Sequence, residues 1–345
     1  MLRLRLRLLA AVLCAATMIV SSTVDAFMGS ARAQTEQKTK LKIAFPTSPH
    51  AFALPHFVAM EKGWLTDAGL DVEEQWLIGD TTVIRLIVTG EADLCVTGLP
   101  AAFSAIAAGA QVKAIGSQQV IFDFQMVTDK KITKVSELDG KRFAAGPPLS
   151  IQTEVPRVIM RKYGIDPEKV QFQQAGGTPD RLQAVVRGVA DATLIGTSFA
   201  LQAAAKYPNV HVLTTVPKEF PGMGFSYVMA TTKSLVDPAR KKAMEAYIEQ
   251  TTIRASRFIM DNPEEAVKIL MKRVPSLDAE IAKQSVVDLN KDNVWGVNGG
   301  LDREVTDFTI KFSLDSKMIP SAVTYEQVVD PSLVEAALAR AGGKR

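Results

Sequence analysis

Six short stretches rich in Ser, Thr, Gly and Pro have the composition to hold a small anion: Pro46–His50, Gly79–Thr82, Thr97–Pro100, Gly146–Thr153, Gly176–Thr178 and Gly196–Ser198. Each stands between an apolar run and a stretch with helical spacing, so each is predicted to present unsatisfied backbone N–H groups at a helix start. Those donors and the partial positive charge of the helix end suit a carboxylate, sulfonate or nitrate without any Lys or Arg. The candidate binding residues are Thr47, Ser48, His50, Asp80, Thr81, Thr97, Gly98, Leu99, Pro148, Ser150, Ile151, Gln152, Thr153, Gly177, Thr178, Thr197 and Ser198. Phe52, Phe122 and Phe124 join them as aromatic cover for an organic body, the last two with Gln119 and Asp123 near by. Ser and Thr ahead of a helix are also ordinary N-caps, and Phe is also ordinary core.

Covalent and metal chemistry have less to draw on. Cys95 is the only cysteine after Cys14, and it sits inside Asp93–Thr97, a short strand-like run where a small buried side chain is the plainer expectation. A thiol nucleophile would need a base in reach, and no sequence feature places one. No His, Cys, Asp or Glu grouping has metal-ligand spacing, so neither a metal nor a cofactor is expected. His56 and His211 read as structural, and Trp64, Trp76 and Trp295 as packing.

The elements that must position these loops alternate. Leu41–Phe45, Val72–Leu77, Ala92–Thr97 and Val112–Gly116 read as strands, separated by helical stretches over 52–62, 81–89 and 101–108. A second series follows, with strands at 141–145, 170–175 and 191–195 and helices at 151–163, 179–188 and 199–206. Phe225–Thr231 is again strand-like, and from Asp237 to Ala341 the pattern is almost wholly helical. Short apolar strands alternating with helices predict an α/β fold of two lobes, each a mostly parallel sheet with helices on both faces. The expected division is residues 41–124 for the first part of lobe 1, 125–228 for lobe 2, and 229–345 for the completion of lobe 1. The crossings are expected near Asp123–Asp129 and Met223–Met229, forming a hinge able to close over a small ligand.

Residues 1–33 read as an export signal. Arg3, Arg5 and Arg7 precede the apolar run Leu8–Val20, and Ala31-Arg32-Ala33 has the small-x-small pattern of a cleavage site, with Val24-Asp25-Ala26 as a second. Leu13 before Cys14 disfavours lipid attachment. Removing residues 1–33 takes away four arginines and Asp25, bringing the formal charge from +3 to zero. A neutral chain with no basic cluster argues against a nucleic-acid partner.

Several short segments together carry a family resemblance: Met60-Glu61-Lys62-Gly63-Trp64, Ala68-Gly69-Leu70-Asp71-Val72-Glu73, Thr89-Gly90-Glu91-Ala92-Asp93 with Gly98, Val112–Gly116, Ser136–Lys141, Gly188–Ala192 and Asn262–Ala266. In this order and behind an export signal, the chain resembles the periplasmic substrate-binding proteins of nitrate, sulfonate, taurine and thiamine-precursor ABC importers. The resemblance implies a type II periplasmic binding fold, a monomer that captures a small-molecule ligand without catalysis, and an ABC permease as partner. It also implies that the loop carrying His50 contacts ligand, with His50 as a donor to an anion. The second-lobe loop Gly196–Ser198 is uncharged where amine-recognising relatives carry an acid; Asp80 and Asp180 are the nearest acids, which favours an anion with a neutral or aromatic body. The family also resembles desulfinase-like and pyrimidine-forming enzymes, for which Cys95 would be the thiol, and periplasmic sensors remain an alternative.

Overall fold

The computed structural model describes residues 38–148 and 150–345; the expected export signal and Leu149 lie outside the described residues. Ten strands form two sheets. They are β1 Thr39–Phe45, β2 Leu70–Trp76, β3 Leu94–Gly98, β4 Val112–Gly116, β5 Phe124–Asp129, β6 Arg142–Ala145, β7 Gln171–Gln174, β8 Ala192–Gly196, β9 Val210–Thr215 and β10 Ser226–Thr231. The first sheet runs β2-β1-β3-β10-β4 and the second β7-β6-β8-β5-β9. Both therefore have one order, and in each the fourth strand is the one that arrives by a crossing from the other lobe. That strand is antiparallel to both neighbours, β10 to β3 and β4, β5 to β8 and β9. The pairs β1–β3, β6–β7 and β6–β8 are parallel, as strand–helix–strand connection requires.

The principal helices are α1 Leu54–Glu61, α2 Asp80–Thr89, α3 Leu99–Ala107, α4 Ile151–Lys162, α5 Thr178–Val186, α6 Thr197–Lys206, α7 Pro238–Ile248, α8 Pro263–Arg273, α9 Ala279–Lys291, α10 Arg303–Asp315 and α11 Ser332–Arg340. Strands buried along their whole length, such as β3 and β8, need cover on both faces, and the helices supply it. The C-terminal helices pack mainly on the first lobe, α8 on α1, α10 on α3 and α11 on β4, as their apolar stripes predict. One does more: α9 also packs against α6 of the second lobe.

Sequence pattern and structure differ at the crossings. Residues 124–129, expected as a connection, are strand β5, so the first crossing is the shorter segment 117–123. The second is 220–225, and the chain has rejoined the first sheet by Ser226 rather than after 228. Strand β9, a half-buried edge strand after α6, carries no continuous apolar run and lies outside the predicted elements. A strand delivered by a crossing breaks the strand–helix alternation on which the sequence reading depends.

The crossings are tied to each other and to a third segment. Ile121 bridges Gly224, and Gln119 bridges Trp295. Ser117 N–H donates to Gly299 O at 2.9 Å and Gly296 N–H to Gln118 O at 3.0 Å. Gly296 is required by this approach, because a Cβ there would lie 1.8 Å from Ser117 O.

Candidate functional site

Five helices begin at the interlobe cleft directly from strand ends or tight turns, and their N-cap residues are Gly79, Gly98, Ser150, Gly177 and Gly196 for α2 to α6. None of these caps uses a side chain to satisfy the first-turn N–H groups. At exposed helix starts elsewhere, Asp237, Asp278 and Asp302 do so for α7, α9 and α10. The cleft thus gathers five helix starts without a side-chain cap, a state shared outside it by α1, α8 and α11. The stretches Thr97–Pro100 and Gly196–Ser198 are not loops: strand passes into helix at Gly98–Leu99 and Gly196–Thr197 without a connecting residue.

A narrow cavity lies between the lobes. It is lined by ten of the predicted residues, Thr47, His50, Phe52, Asp80, Thr97, Gly98, Phe124, Ile151, Gln152 and Thr178, together with Pro46, Phe225 and Ser226. Two adjoining spaces share His50: a wider cleft with Ser48, Ser198, Phe199 and Arg273, and a small chamber with Gln119, Asp123, Thr197 and Ser198. The remaining predicted residues do not line these spaces. Thr81 and Pro148 are exposed, and Leu99 belongs to the first-lobe core. Phe122 stacks behind Phe225 at 5.2 Å. Ser150 and Thr153 bond each other, and Thr153 also donates to Gly146 O, while Gly177 N–H donates to Asp180. These last three hold the α4 and α5 starts in shape.

Asp80 opens α2 and is buried, and its Oδ1 accepts from Gly98 N–H at 2.7 Å and Thr97 Oγ at 3.2 Å. Burial raises its pKa above the ordinary carboxylate value, against the pull of those two bonds. His50 Nδ1 lies 2.9 Å from Ser48 O, and a carbonyl can only accept, so Nδ1 carries the proton and Nε2 presents a lone pair. Burial pushes this imidazole down to about 4, with the charge of Arg181 acting in the same direction, so the ring is neutral at neutral pH. The expected role of His50 as a donor to an anion is therefore corrected: its one donor is already used.

Arg181, a charged group the sequence reading missed, lies behind the cavity-lining Thr178 and lines none of these three spaces itself. It is 3 % exposed, donates to Gly176 O and Thr178 Oγ at 3.0 Å each, and leaves its Nε without a partner. Burial lowers its pKa to about 10, so it remains charged. No salt bridge found among the described residues includes it. A basic residue in the first turn of a helix opposes the helix dipole, and that local conflict was the available signal.

The NMT1/THI5-like family model matches residues 51–266 of this sequence. The chain belongs to that family. No curated protein sequence matches it. Among solved structures, a protein from Bordetella bronchiseptica RB50 superposes with a TM-score of 0.76 at 19% identity, covering 89% of this chain and 99% of the other. The periplasmic nitrate-binding protein NrtA from Synechocystis PCC 6803 gives 0.71 at 14% identity, covering 88% and 89%. The periplasmic aliphatic sulphonate-binding protein SsuA from Escherichia coli gives 0.62 at 16%, covering 85% and 92%. This NMT1/THI5-like chain therefore has the periplasmic solute-binding protein fold.

In it Cys95 is wholly buried in β3, between Ala44 of β1 and Met229 of β10, and burial pushes its thiol well above the ordinary value. A thiolate nucleophile needs the opposite setting, so the structure gives the Cys95 enzyme alternative no support. His56 bonds Tyr247 at 2.9 Å and Glu74 at 2.8 Å, a buried structural pairing.

Proposed function

We propose that this NMT1/THI5-like protein is the periplasmic solute-capturing component of an ABC importer, a monomer that closes on a small organic anion and passes it to a membrane permease. The observation that carries the anion is Arg181: a buried guanidinium behind the cavity-lining Thr178, with no carboxylate partner and an unused Nε, makes this wall positive and is costly unless something negative offsets it. The five helix starts free of side-chain caps point the same way. An aromatic wall of Phe52, Phe124 and Phe225, with centroids 5.4 to 5.8 Å apart along the Phe52–Phe225 and Phe124–Phe225 contacts, suits an organic body. The anions named for the NrtA and SsuA relatives agree with this reading.

Capture works by population shift. A solute touching residues of both lobes binds the closed form better than the open one, and only that difference drives closure. Calorimetric titration of the mature protein with short sulfonates, carboxylates, nitrate and uncharged pyrimidines tests the reading. Binding of at least one anion, weakened tenfold or more by Arg181→Gln, is the expected result. Binding of pyrimidines alone refutes the anion.

A further inference from the structure

Gln119 and Asp123 sit in the first crossing, 1 % and 8 % exposed, and both line the small chamber beside His50 and Phe52. Gln119 Nε2 donates to Asp123 Oδ1. Because a carboxylate oxygen only accepts, this bond fixes which way the amide faces, and Gln119 Oε1 is left buried with no donor. Two neighbouring hydroxyls are already occupied: Thr197 Oγ donates to Asp123 O at 2.6 Å, and Ser226 Oγ to Gln119 O at 3.2 Å. No cation pairs with Asp123 in the salt bridges among the described residues, and the charge of a second carboxylate, Asp292, adds to the rise that burial causes in its pKa. His50, whose Nε2 holds a lone pair, also lines this chamber. Gln119 Oε1 is therefore a buried acceptor held at a cost that a donor group could remove.

We propose that Gln119 and Asp123 form a specificity subsite that receives a hydrogen-bond-donating group, an ammonium or an amide N–H, of the solute held in the cleft. The inference rests on the reading of the cleft as a solute site. It makes the solute two-ended: its negative end meets the helix starts and the wall behind which Arg181 lies, its N–H end meets the crossing. The main cavity and the chamber share His50, Phe52 and Phe124, so one short molecule can reach both. Placing the donor contact on a crossing also links recognition to closure, since this segment moves when the lobes do.

The test is calorimetry at pH 7.5 on the mature protein with matched probes: 3-aminopropanesulfonate against butanesulfonate, 4-aminobutanoate against pentanoate, and butylamine alone. The amine-bearing member of at least one pair is expected to bind tenfold tighter or better. Asp123→Asn, which keeps the shape and can still accept from Gln119, is expected to remove that preference while changing the affinity of the amine-free probe less than threefold. Gln119→Leu should do the same, with circular dichroism confirming its fold. Equal affinity within each pair, a preference that survives Asp123→Asn, or an absence of binding by every amine-bearing probe would overturn the subsite. Anion binding indifferent to the amine leaves the anion reading standing and removes this one; butylamine binding lost in Asp123→Asn, with no anion bound, does the reverse.

Discussion

Gly98 of the first lobe faces Ile151 of the second so closely that a Cβ at Gly98 would lie 3.1 Å from Ile151 Cγ2. The two residues begin or precede helices that meet the cavity from opposite sides, and their contact exists only while the lobes are together. Gly98 has φ −64, so a side chain there meets no backbone strain and acts through this contact and through Asp80 Oδ1, 3.5 Å from the same Cβ. Gly98→Val is expected to weaken solute binding about tenfold, roughly 1.4 kcal/mol. The measurement is calorimetry paired with small-angle scattering: the variant with solute should stay more extended than the parent, and an unchanged affinity would contradict the contact's role.

Arg181→Gln separates stability from binding. Removing a buried charge that lacks a partner is expected to leave the unliganded protein as stable as the parent or more so, by ~0–2 kcal/mol, while anion affinity falls tenfold or more. Urea unfolding of the unliganded forms checks the first half, and a large destabilisation would recast Arg181 as structural.

For Asp123 the sign follows from its raised pKa. Burial holds this carboxyl near 6 in the folded protein against about 3.8 unfolded, so the folded state keeps a proton that the unfolded state loses between those values. Stability from this group is full below 3.8 and lost as pH rises through 6. Asp123→Asn should therefore stabilise the fold above pH 6, by at most on the order of 3 kcal/mol, and raise the melting temperature there, with the gain shrinking toward pH 4. Melting curves at pH 4 to 8 decide it; a gain independent of pH would mean the carboxyl is not the cause.

Gly296→Ala strikes the crossings. Its added methyl would overlap Ser117 O, so the 294–300 segment must leave the crossing it braces. A loss of ~2–4 kcal/mol in urea unfolding is expected, and a neutral result would show that the segment yields freely.

His50 predicts an opposite pH effect. Its folded value of about 4 lies below the unfolded 6.5, so its full contribution is present above 6.5 and falls away as pH drops toward 4. His50→Gln should flatten the acid limb of the stability profile between these values; an unaltered limb would place the cause elsewhere.

Most of the architecture could be read from pattern, because βα units announce themselves twice over: apolar runs for buried strands, Gly and Pro for the turns between. Strand β5 could not, since an antiparallel insertion obeys no local alternation and its partners lie far along the chain, β5 with β8 through Phe124 and Gly196; β9 follows α6 in the ordinary order but is a half-buried edge strand with no continuous apolar run. At the cleft, sequence reasoning located the loops because glycine and hydroxyl residues cluster there. It could not tell a lining side chain from a bracing one: Thr153 and Thr178 look alike in sequence, yet one bonds the backbone of its own turn and the other lines the cavity. Arg181 was hidden because a helix pattern gives every exposed-looking cation the same meaning, and only burial marks this one.

The shared strand order of the two sheets has a consequence for how the polypeptide assembles. All five strands of the second sheet come from one unbroken stretch ending at Thr215, while the first sheet stays a strand short until Ser226–Thr231 has been made. As the chain emerges from its N-terminus, the middle half can complete its hydrogen-bonded ladder first and then serve as the template that brings the two distant ends of the outer half together.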